Sequence, residues 1–342
     1  MNVADPIKPR QSVPSYRPPF EWRFLAPRFW LIWLGFALLW VVAWLPARWR
    51  VLLATGLGRL IYRHNAKRRN IVDINLRWCF PELSPQQRDD WVRQYFRYLA
   101  QAMLDTGLFW WGSEARFRRN IVLKDDAGLA QMLADGRRVI IVTCHTPGLD
   151  RGGVALSADY LFETFVKEAR NPLIEWMSAR RRTRFDGLVF PRSGGLRPVI
   201  KGMRAGYALY ILTDEDMGAE SAEFAPFFGI PRATLTTPSR LAKMTDAVLF
   251  TAYTWYDDSA HRYVVQIYPQ VEGYPSGDDA VDAARLNRIL EQMIREHPQQ
   301  YMWSLRIFQT MQDGSPPPYK MKGKPGSGPR PRPEVAQSED KV

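Results

Sequence analysis

The sequence predicts an α/β protein, a mixed sheet flanked by helices, with an N-terminal transmembrane helix. The stretch Arg137–Cys144 is a β-branched run without alternation, which is typical of a strand buried on both faces. Further strand candidates at Tyr207–Thr213, Ala247–Trp255 and Tyr263–Tyr268 alternate with helical segments, and the last two have hairpin spacing. An uncharged apolar run over residues 29–47 precedes them all.

That apolar run is long enough to cross a bilayer. A helix of nineteen residues spans roughly 28 Å, close to the hydrocarbon thickness of a membrane. Six of the thirteen tryptophans lie in or beside it, and Arg28 and Arg48 bracket it as interfacial anchors would. A buried core helix or an interfacial helix is the alternative. The flanking cations are nearly balanced, so charge does not predict the orientation.

The net charge of +12 is concentrated around this helix. Residues 1–70 contain 12 Lys or Arg and two acids, residues 71–312 are balanced at 29 of each sign, and residues 313–342 carry +2. A nucleic-acid-binding protein would usually carry its basic excess on the folded body. The distribution therefore favours an anionic bilayer over nucleic acid.

Four segments follow from this pattern: a basic N-terminal segment (1–28), the transmembrane helix (29–47), one folded domain (48–312) and a tail (313–342) rich in Pro and Gly that we expect to be disordered. Val51–Tyr62 suits a helix resting on the membrane surface. Ser84, with Gln87 at the capping-box position, starts a helix that should continue to about Phe109. Other helix candidates cover 171–185, 197–205, 234–245 and 278–297.

Cys79 and Cys144 are the only cysteines and cannot form a disulfide framework. With four scattered histidines they show no metal-ligand spacing, so no metal and no cofactor is expected. Cys144 directly precedes a histidine, but adjacent residues at a strand end face opposite ways. A small buried hydrophobe is the better interpretation of Cys144 than a nucleophile.

The residues that suggest chemistry follow the buried strand. His145 comes directly after it, and Asp150 lies five residues on, beyond a Pro and a Gly that allow the chain to turn back. Loops at strand ends are where open α/β sheets place ligands. An acid that holds a histidine is an arrangement for general-base catalysis, although a helix-capping histidine has the same spacing.

The segments around this motif resemble a known family. H-x4-D after a buried strand is similar to the glycerophosphate and lipid A acyltransferase superfamily, and over residues 24–312 the chain resembles the lipid A biosynthesis (lauroyl/myristoyl) acyltransferases. The resemblance depends on Asn75-Leu76, Asn171–Trp176, Asp214–Gly218, Phe224–Gly229, Ala233-Thr234 and Pro298–Trp303. It implies a single-pass protein of the bacterial inner membrane with a cytoplasmic catalytic domain. The donor would be acyl carrier protein, and the acceptor a hydroxyacyl hydroxyl of a lipid A precursor.

Carried over by position, the resemblance makes His145 and Asp150 the catalytic dyad. His145 would take the acceptor's proton and Asp150 would orient the imidazole. Arg182 and Asp214 match positions of the family's substrate site. The family usually has Glu in place of Asp150, and Tyr-Arg-Pro where this chain has Val166-Lys167-Glu168, which leaves Lys167 as the cation there.

Several candidates stay open at this stage. Arg180, Arg181, Arg182 and Arg184 form a dense basic cluster, but helical residues are 100° apart, so they cannot all face one ligand. We expect Arg182 to bind substrate, with Arg306 as a further candidate. For Asp214 and Asp216, salt bridges to Arg or Lys are favoured over metal ligation.

Two other functions compete with lipid A acylation. Asp150, and a partial match of Phe190–Gly194 to the FPEGTR block, would suit an acyltransferase acting on a glycerophospholipid or an aminolipid. A membrane-tethered binding protein without catalysis would explain the basic N-terminus equally well.

Overall fold

The computed structural model describes residues 9, 11–125, 127–220, 222–319 and 332. Within them the helices are α1 (Trp30–Trp44), α2 (Ala47–His64), α3 (Ala66–Cys79), α4 (Pro85–Trp111), α5 (Glu114–Asn120), α6 (Leu129–Ala134), α7 (Leu149–Asp159), α8 (Pro172–Arg182), α9 (Arg197–Ala205), α10 (Thr237–Thr245) and α11 (Asp279–Glu296). The strands are β1 (Ile121–Lys124), β2 (Arg138–Thr143), β3 (Phe162–Val166), β4 (Leu188–Pro191), β5 (Ala208–Leu212), β6 (Ala222–Phe227), β7 (Ile230–Leu235), β8 (Ala247–Asp257) and β9 (Arg262–Tyr268).

Seven strands form one mixed sheet in the order β1-β9-β8-β2-β5-β3-β4. Strands β8, β2, β5, β3 and β4 are mutually parallel, while β9 runs antiparallel to β8 and pairs in parallel with β1. Strands β6 and β7 form a separate antiparallel pair. The predicted mixed α/β sheet is confirmed, including the β8–β9 hairpin.

Strand β2 is buried on both faces, as its unbroken apolar run predicts. Ile140 and Val142 join one hydrophobic cluster, whereas Val139 and Ile141 join another on the opposite face. Alternate side chains of a strand point to opposite sides, so helices must cover both faces of the sheet. The sheet therefore forms the middle layer of the fold.

The predicted elements and the observed ones differ mainly at short segments. The strands and helices predicted from long patterns are present, and the capping box at Ser84 starts α4 as expected. Residues 234–236, predicted to begin a helix, instead complete β7 and lead into α10. The prediction also missed α3, α5, α6, α7, β1, β3, β4, β6 and most of β7. Most of these elements are only four to seven residues long and carry little periodicity, and α3 is polar on average.

Helix α1 lies in the one candidate membrane span among the described residues. The 18 residues from Pro27 to Trp44 are long and apolar enough to cross a membrane by length and composition, and only 17% of them are buried. The regular helix stops at Trp44, shorter than the predicted run to 47, because Leu45, the residue before Pro46, is extended and Pro46 is the N-cap of α2. One side of α1 packs on α4, where a Cβ on Gly107 would meet the carbonyl oxygen of Leu39.

Helix α2 is fixed to the body by a buried ion pair. Arg50 Nε donates to Asp105 Oδ1 at 2.7 Å, and both side chains are almost fully buried. Asp105 also accepts hydrogen bonds from Gln101 and from the Tyr263 hydroxyl. Arg50, one of the cations that follow the apolar run, is therefore used inside the fold.

The two ends of the chain are only partly described. The backbone N–H of Tyr16 donates to the Val189 carbonyl at 2.8 Å, which places this part of the N-terminal segment beside β4. In the tail predicted to be disordered, Tyr319 is buried and its hydroxyl donates to Asn75 Oδ1 at 2.6 Å. The structure describes residues 313–319 of that tail, and apart from Arg332 residues 320–342 lie outside the described residues.

Candidate active site

His145 and Asp214 meet because β2 and β5 are parallel neighbours. Thr143 pairs with Leu212 at the ends of these strands. The same register continued for two residues sets His145 opposite Asp214. The carboxyl ends of parallel strands lie at one edge of a sheet, so the loops after β2, β5, β3 and β4 gather there.

Asp214 holds His145 through two hydrogen bonds. Its Oδ1 lies 2.7 Å from the imidazole Nδ1, and its Oδ2 accepts the backbone N–H of His145 at 2.8 Å. Asp214 is fully buried, whereas 23% of the His145 side chain is exposed. With Nδ1–H donated to the carboxylate, Nε2 is left as the unprotonated nitrogen that can accept a proton.

The electrostatics of this pair favour a basic imidazole. Burial lowers the pKa of His145, but the charge and hydrogen bond of Asp214, with the charge of Glu215, outweigh it and raise the pKa above its usual value. Burial raises the pKa of Asp214, yet His145 brings it below the usual range for a carboxyl. Asp214 therefore stays ionised and can stabilise an imidazolium.

His145 opens onto a cavity of about 390 Å³. Apolar side chains, among them Phe162, Phe165 and Leu212, line part of it, and Asp150, Lys167 and Arg182 supply charge. Four of the predicted site residues thus share one cavity. Its mixed lining suits a ligand with an apolar part and a polar part.

Asp150 does not make the hydrogen bond to His145 that the sequence predicts. Helix α7 begins at Leu149, so Asp150 lies in its first turn and faces α8. There it receives two hydrogen bonds from Arg182, from Nε to Oδ1 and from Nη2 to Oδ2, each 3.1 Å long. Partial burial raises the pKa of Asp150, but Arg182 lowers it to below its usual value. The acid on Nδ1 is Asp214.

Three of the four clustered arginines lie in the last turn of α8 and Arg184 just after it, and their surroundings differ, so they do not all face one ligand, as predicted. Arg182 binds Asp150, while Arg184 Nη2 donates to the Gly112 carbonyl at 2.9 Å. Arg181 lies over the Trp111 ring, and Arg180 is exposed. Of the four, Arg181 and Arg182 border the small recess beside Asp150, and Arg182 also lines the main cavity.

The other candidates are placed as follows. Arg306 lines a neighbouring cavity with Asp216, not the cavity of His145. Asp216 accepts hydrogen bonds from the Thr310 backbone and hydroxyl. In the described part of the chain neither Asp214 nor Asp216 forms a salt bridge to Arg or Lys, so the partners predicted for them are wrong.

Cys144 is a buried hydrophobe, as predicted. It is fully buried and free, and burial, with the charge of Asp214, raises the pKa of its thiol well above the usual value. A thiol in that state is a poor nucleophile. Of these two neighbouring residues, His145 lines the cavity and Cys144 does not.

Sequence reasoning missed two features of this edge. Arg192, after β4, lines the cavity and pairs with Glu215 at 3.2 Å. The backbone N–H of Met302 donates to the His145 carbonyl at 2.9 Å, which brings the loop after α11 to the site. The predicted strands 137–144 and 207–213, had they been known to be neighbours, would have indicated Asp214.

A mixed sheet with a carboxylate-held histidine at the carboxyl edge of its parallel strands, beside an apolar and cationic cavity, defines an α/β protein with a candidate general base. Comparison with known proteins narrows this class. The family described as "Bacterial lipid A biosynthesis acyltransferase" matches residues 17–310. The chain belongs to that family.

Individual relatives agree. The chain is 31% identical over 302 residues to a lipid A biosynthesis acyltransferase of Haemophilus influenzae, a match that covers 88% of this chain and 94% of the relative. It is 31% identical over 303 residues to the lipid A biosynthesis lauroyltransferase of Escherichia coli (88% and 99%). The lipid A biosynthesis palmitoleoyltransferase of the same organism is 30% identical over 292 residues (85% and 95%).

Proposed function

We propose that this protein transfers a fatty acyl chain from acyl carrier protein to a hydroxyl of a hydroxyacyl chain on a lipid A precursor. The names of its relatives support the substrate class. The observation that carries the mechanism is the 2.7 Å contact between His145 Nδ1 and Asp214 in a cavity with apolar walls. An aliphatic hydroxyl needs such a base to attack a thioester at neutral pH.

In the proposed reaction His145 Nε2 takes the proton of the acceptor hydroxyl as its oxygen attacks the thioester carbonyl. The tetrahedral intermediate then collapses, the carbon–sulfur bond breaks, and the imidazolium returns the proton to the departing thiolate. The products are an ester and a free thiol. Asp214 fixes the Nδ1–H tautomer and stabilises the imidazolium between the two steps.

Asp150 and Arg182 act together in this proposal. The carboxylate fixes the guanidinium through Nε and Nη2, and Nη1 has no hydrogen-bond partner among the described residues. Arg182 is one-quarter exposed and lines the cavity, so it can donate to an anionic group of the substrate. Lys167, exposed at the end of β3, is a second cation beside the same space.

We also propose that α1 anchors the enzyme in the inner membrane with the catalytic domain in the cytoplasm. The apolar Pro27–Trp44 segment and the exposed side chains of Trp30, Leu31, Leu34 and Leu38 support insertion. The orientation rests on the donor, since acyl carrier protein is cytosolic. Digestion of the C-terminal tail by protease in sealed inverted vesicles tests it: protection would contradict the proposed side.

Product analysis tests the reaction. The purified full-length protein is incubated with a panel of acyl carrier proteins of different chain length, and with either a bisphosphorylated tetraacyl glucosamine lipid or glycerophosphate. We expect one added acyl chain on the glucosamine lipid by mass spectrometry. Product on glycerophosphate alone would favour the glycerolipid alternative. A chain that binds lipid but forms no product in either case would be a binding protein.

A further inference from the structure

A second cavity adjoins the one that holds His145. It measures about 530 Å³ and lies between the first turn of α3 and the loop that follows α11. Glu215 lines both cavities, so a single side chain forms part of the wall between them. A ligand that reaches past Glu215 would occupy both spaces.

The wall is built from the same two loops that hold His145. In one loop Asp214 binds the imidazole, and Asp216 two residues later lines the second cavity. In the other loop Met302 N–H donates to the His145 carbonyl, and Arg306 lies four residues farther along. The second cavity is therefore positioned by the catalytic loops themselves.

Three cations line this space, Lys67, Arg68 and Arg306. Arg68 donates to the Ser304 carbonyl at 3.1 Å and joins α3 to the loop. Within the part of the chain that the structure describes, the one hydrogen bond of Arg306 is a long one, 3.4 Å, to Gln309. Neither Lys67 nor Arg306 has an ion-pair partner among the described residues, and both are exposed.

The two acidic side chains that line the second cavity already have ion-pair or hydrogen-bond partners. Glu215 is paired with Arg192 on the catalytic side at 3.2 Å. Asp216 accepts hydrogen bonds from Thr310 and from the Gly218 backbone. The cations of this cavity thus have unused donors, whereas its carboxylates already have partners. This arrangement makes the cavity suited to an additional anion.

We propose that this second cavity is a subsite for a phosphate ester, with Lys67 and Arg306 as its principal ligands. The choice of substrate rests on the proposed function, since both of its substrates carry a phosphate: the sugar phosphates of the acceptor and the phosphopantetheine arm of the donor. The presence of an anion site does not rest on it. The subsite would fix one phosphate beside the wall while the reacting group lies at His145.

Equilibrium binding to the full-length protein tests the site without any turnover. The probes are inorganic phosphate, glucosamine 1-phosphate and 4′-phosphopantetheine. Glucosamine and pantetheine are the controls that lack the phosphate group. We compare wild type with the double variant Lys67→Gln/Arg306→Gln. The matched control is Lys201→Gln/Arg204→Gln, which removes the same two charges from exposed positions of α9.

We expect the double variant to bind phosphate esters at least tenfold more weakly, because each lost charged hydrogen bond contributes roughly a tenfold factor or more. The α9 control should match wild type. The proposal is wrong if the two double variants bind the phosphate probes equally well. It is also wrong if the wild type binds pantetheine as well as 4′-phosphopantetheine and glucosamine as well as glucosamine 1-phosphate. Such a result would leave acyl transfer by the wild type intact, so the two failures are distinguishable.

Steady-state kinetics then identify which substrate supplies the phosphate. A rise in KM for the acyl donor alone in the Lys67→Gln/Arg306→Gln variant would assign the site to phosphopantetheine. A rise for the lipid acceptor alone would assign it to a sugar phosphate. If both KM values and kcat equal those of wild type, the cavity takes no substrate phosphate and the proposal is wrong.

Discussion

Replacing Asp214 by Asn separates its role from that of Asp150. In the wild type both carboxylate oxygens accept hydrogen bonds, one from Nδ1 and one from the backbone N–H of His145. An amide has one acceptor oxygen and one NH₂ group. If that oxygen keeps the backbone bond, the NH₂ group faces Nδ1, and the imidazole must move its proton to Nε2. A histidine in that tautomer cannot accept the proton of the hydroxyl.

The expected loss is large. Asp214 stabilises the imidazolium by about 4 kcal/mol if the charge centres lie about 4 Å apart at an effective dielectric of about 20. That energy corresponds to a factor of about 10³ in rate, within the range of about 10²–10⁴ for general-base catalysis. The nearly isosteric Asn should keep the fold.

The pH dependence gives a second readout. In the wild type the activity should fall as the pH drops through a pKa above the usual value for histidine, because protonated His145 is no base. Without the charge of Asp214, burial remains and lowers the pKa of His145. The acid limb of the pH–rate profile of any residual activity in Asp214→Asn should therefore move to lower pH. Asp150→Asn should reduce kcat/KM through Arg182 and leave the limb near its wild-type position.

Initial rates of acyl transfer across pH 5–9, with thermal unfolding as a check on folding, measure both effects. Asp159→Asn is the matched control, since Asp159 pairs with Arg118 at the far end of α7. Wild-type rates in Asp214→Asn, or a limb displaced in Asp150→Asn and unmoved in Asp214→Asn, would refute the assignment of Asp214 as the acid on Nδ1.

Three further predictions concern binding, packing and stability. Arg182→Lys should lower kcat/KM by about 10–100-fold in steady-state assays, because an ammonium group cannot keep both hydrogen bonds to Asp150 and each contributes ~1.5–3 kcal/mol. An unchanged kcat/KM would contradict a role of the Asp150–Arg182 pair in the reaction. Gly107→Ala should lower the free energy of unfolding by about 1–3 kcal/mol in thermal unfolding, because the new methyl group meets the Leu39 carbonyl. Gly56→Ala places its methyl group in open space and should cause no such loss. Equal stability of the two variants would contradict the close packing of α1 on α4. Burial raises the pKa of Glu163 well above its usual value, so the unfolded chain releases this proton at a lower pH than the folded one and the stability of the fold decreases as pH rises above about 4.5. Glu163→Gln should therefore unfold at a higher temperature than wild type at pH 7 and lose this advantage below pH 4. The same difference in unfolding temperature at both pH values would count against this prediction.

The sequence indicated the sheet but only part of the site. The apolar run of β2 and the motif after it located His145, because a strand buried on both faces has a distinct composition. The partner of Nδ1 depends on which strand lies next to β2, and Asp214 lies 69 positions after His145 in the chain. Strand order is decided by packing of the whole sheet, which local patterns do not encode.

Asp150 illustrates the same limit at short range. The Pro and Gly between it and His145 are compatible with a turn back to the imidazole, and they are equally compatible with the start of a helix. Helix α7 begins at Leu149, and its packing against α8 gives the carboxylate to Arg182. The structure places positions that the family resemblance indicated near one another, whereas the pairs among them could not be read from the sequence.

The rate of acyl transfer by His145→Ala tests the central claim most directly. In single-turnover reactions with an acyl carrier protein thioester and a bisphosphorylated tetraacyl glucosamine lipid, followed by mass spectrometry, we expect a rate about 10²–10⁴-fold below wild type with lipid binding retained. A variant that forms the acylated lipid at the wild-type rate would contradict the account, because His145 would then not be the base.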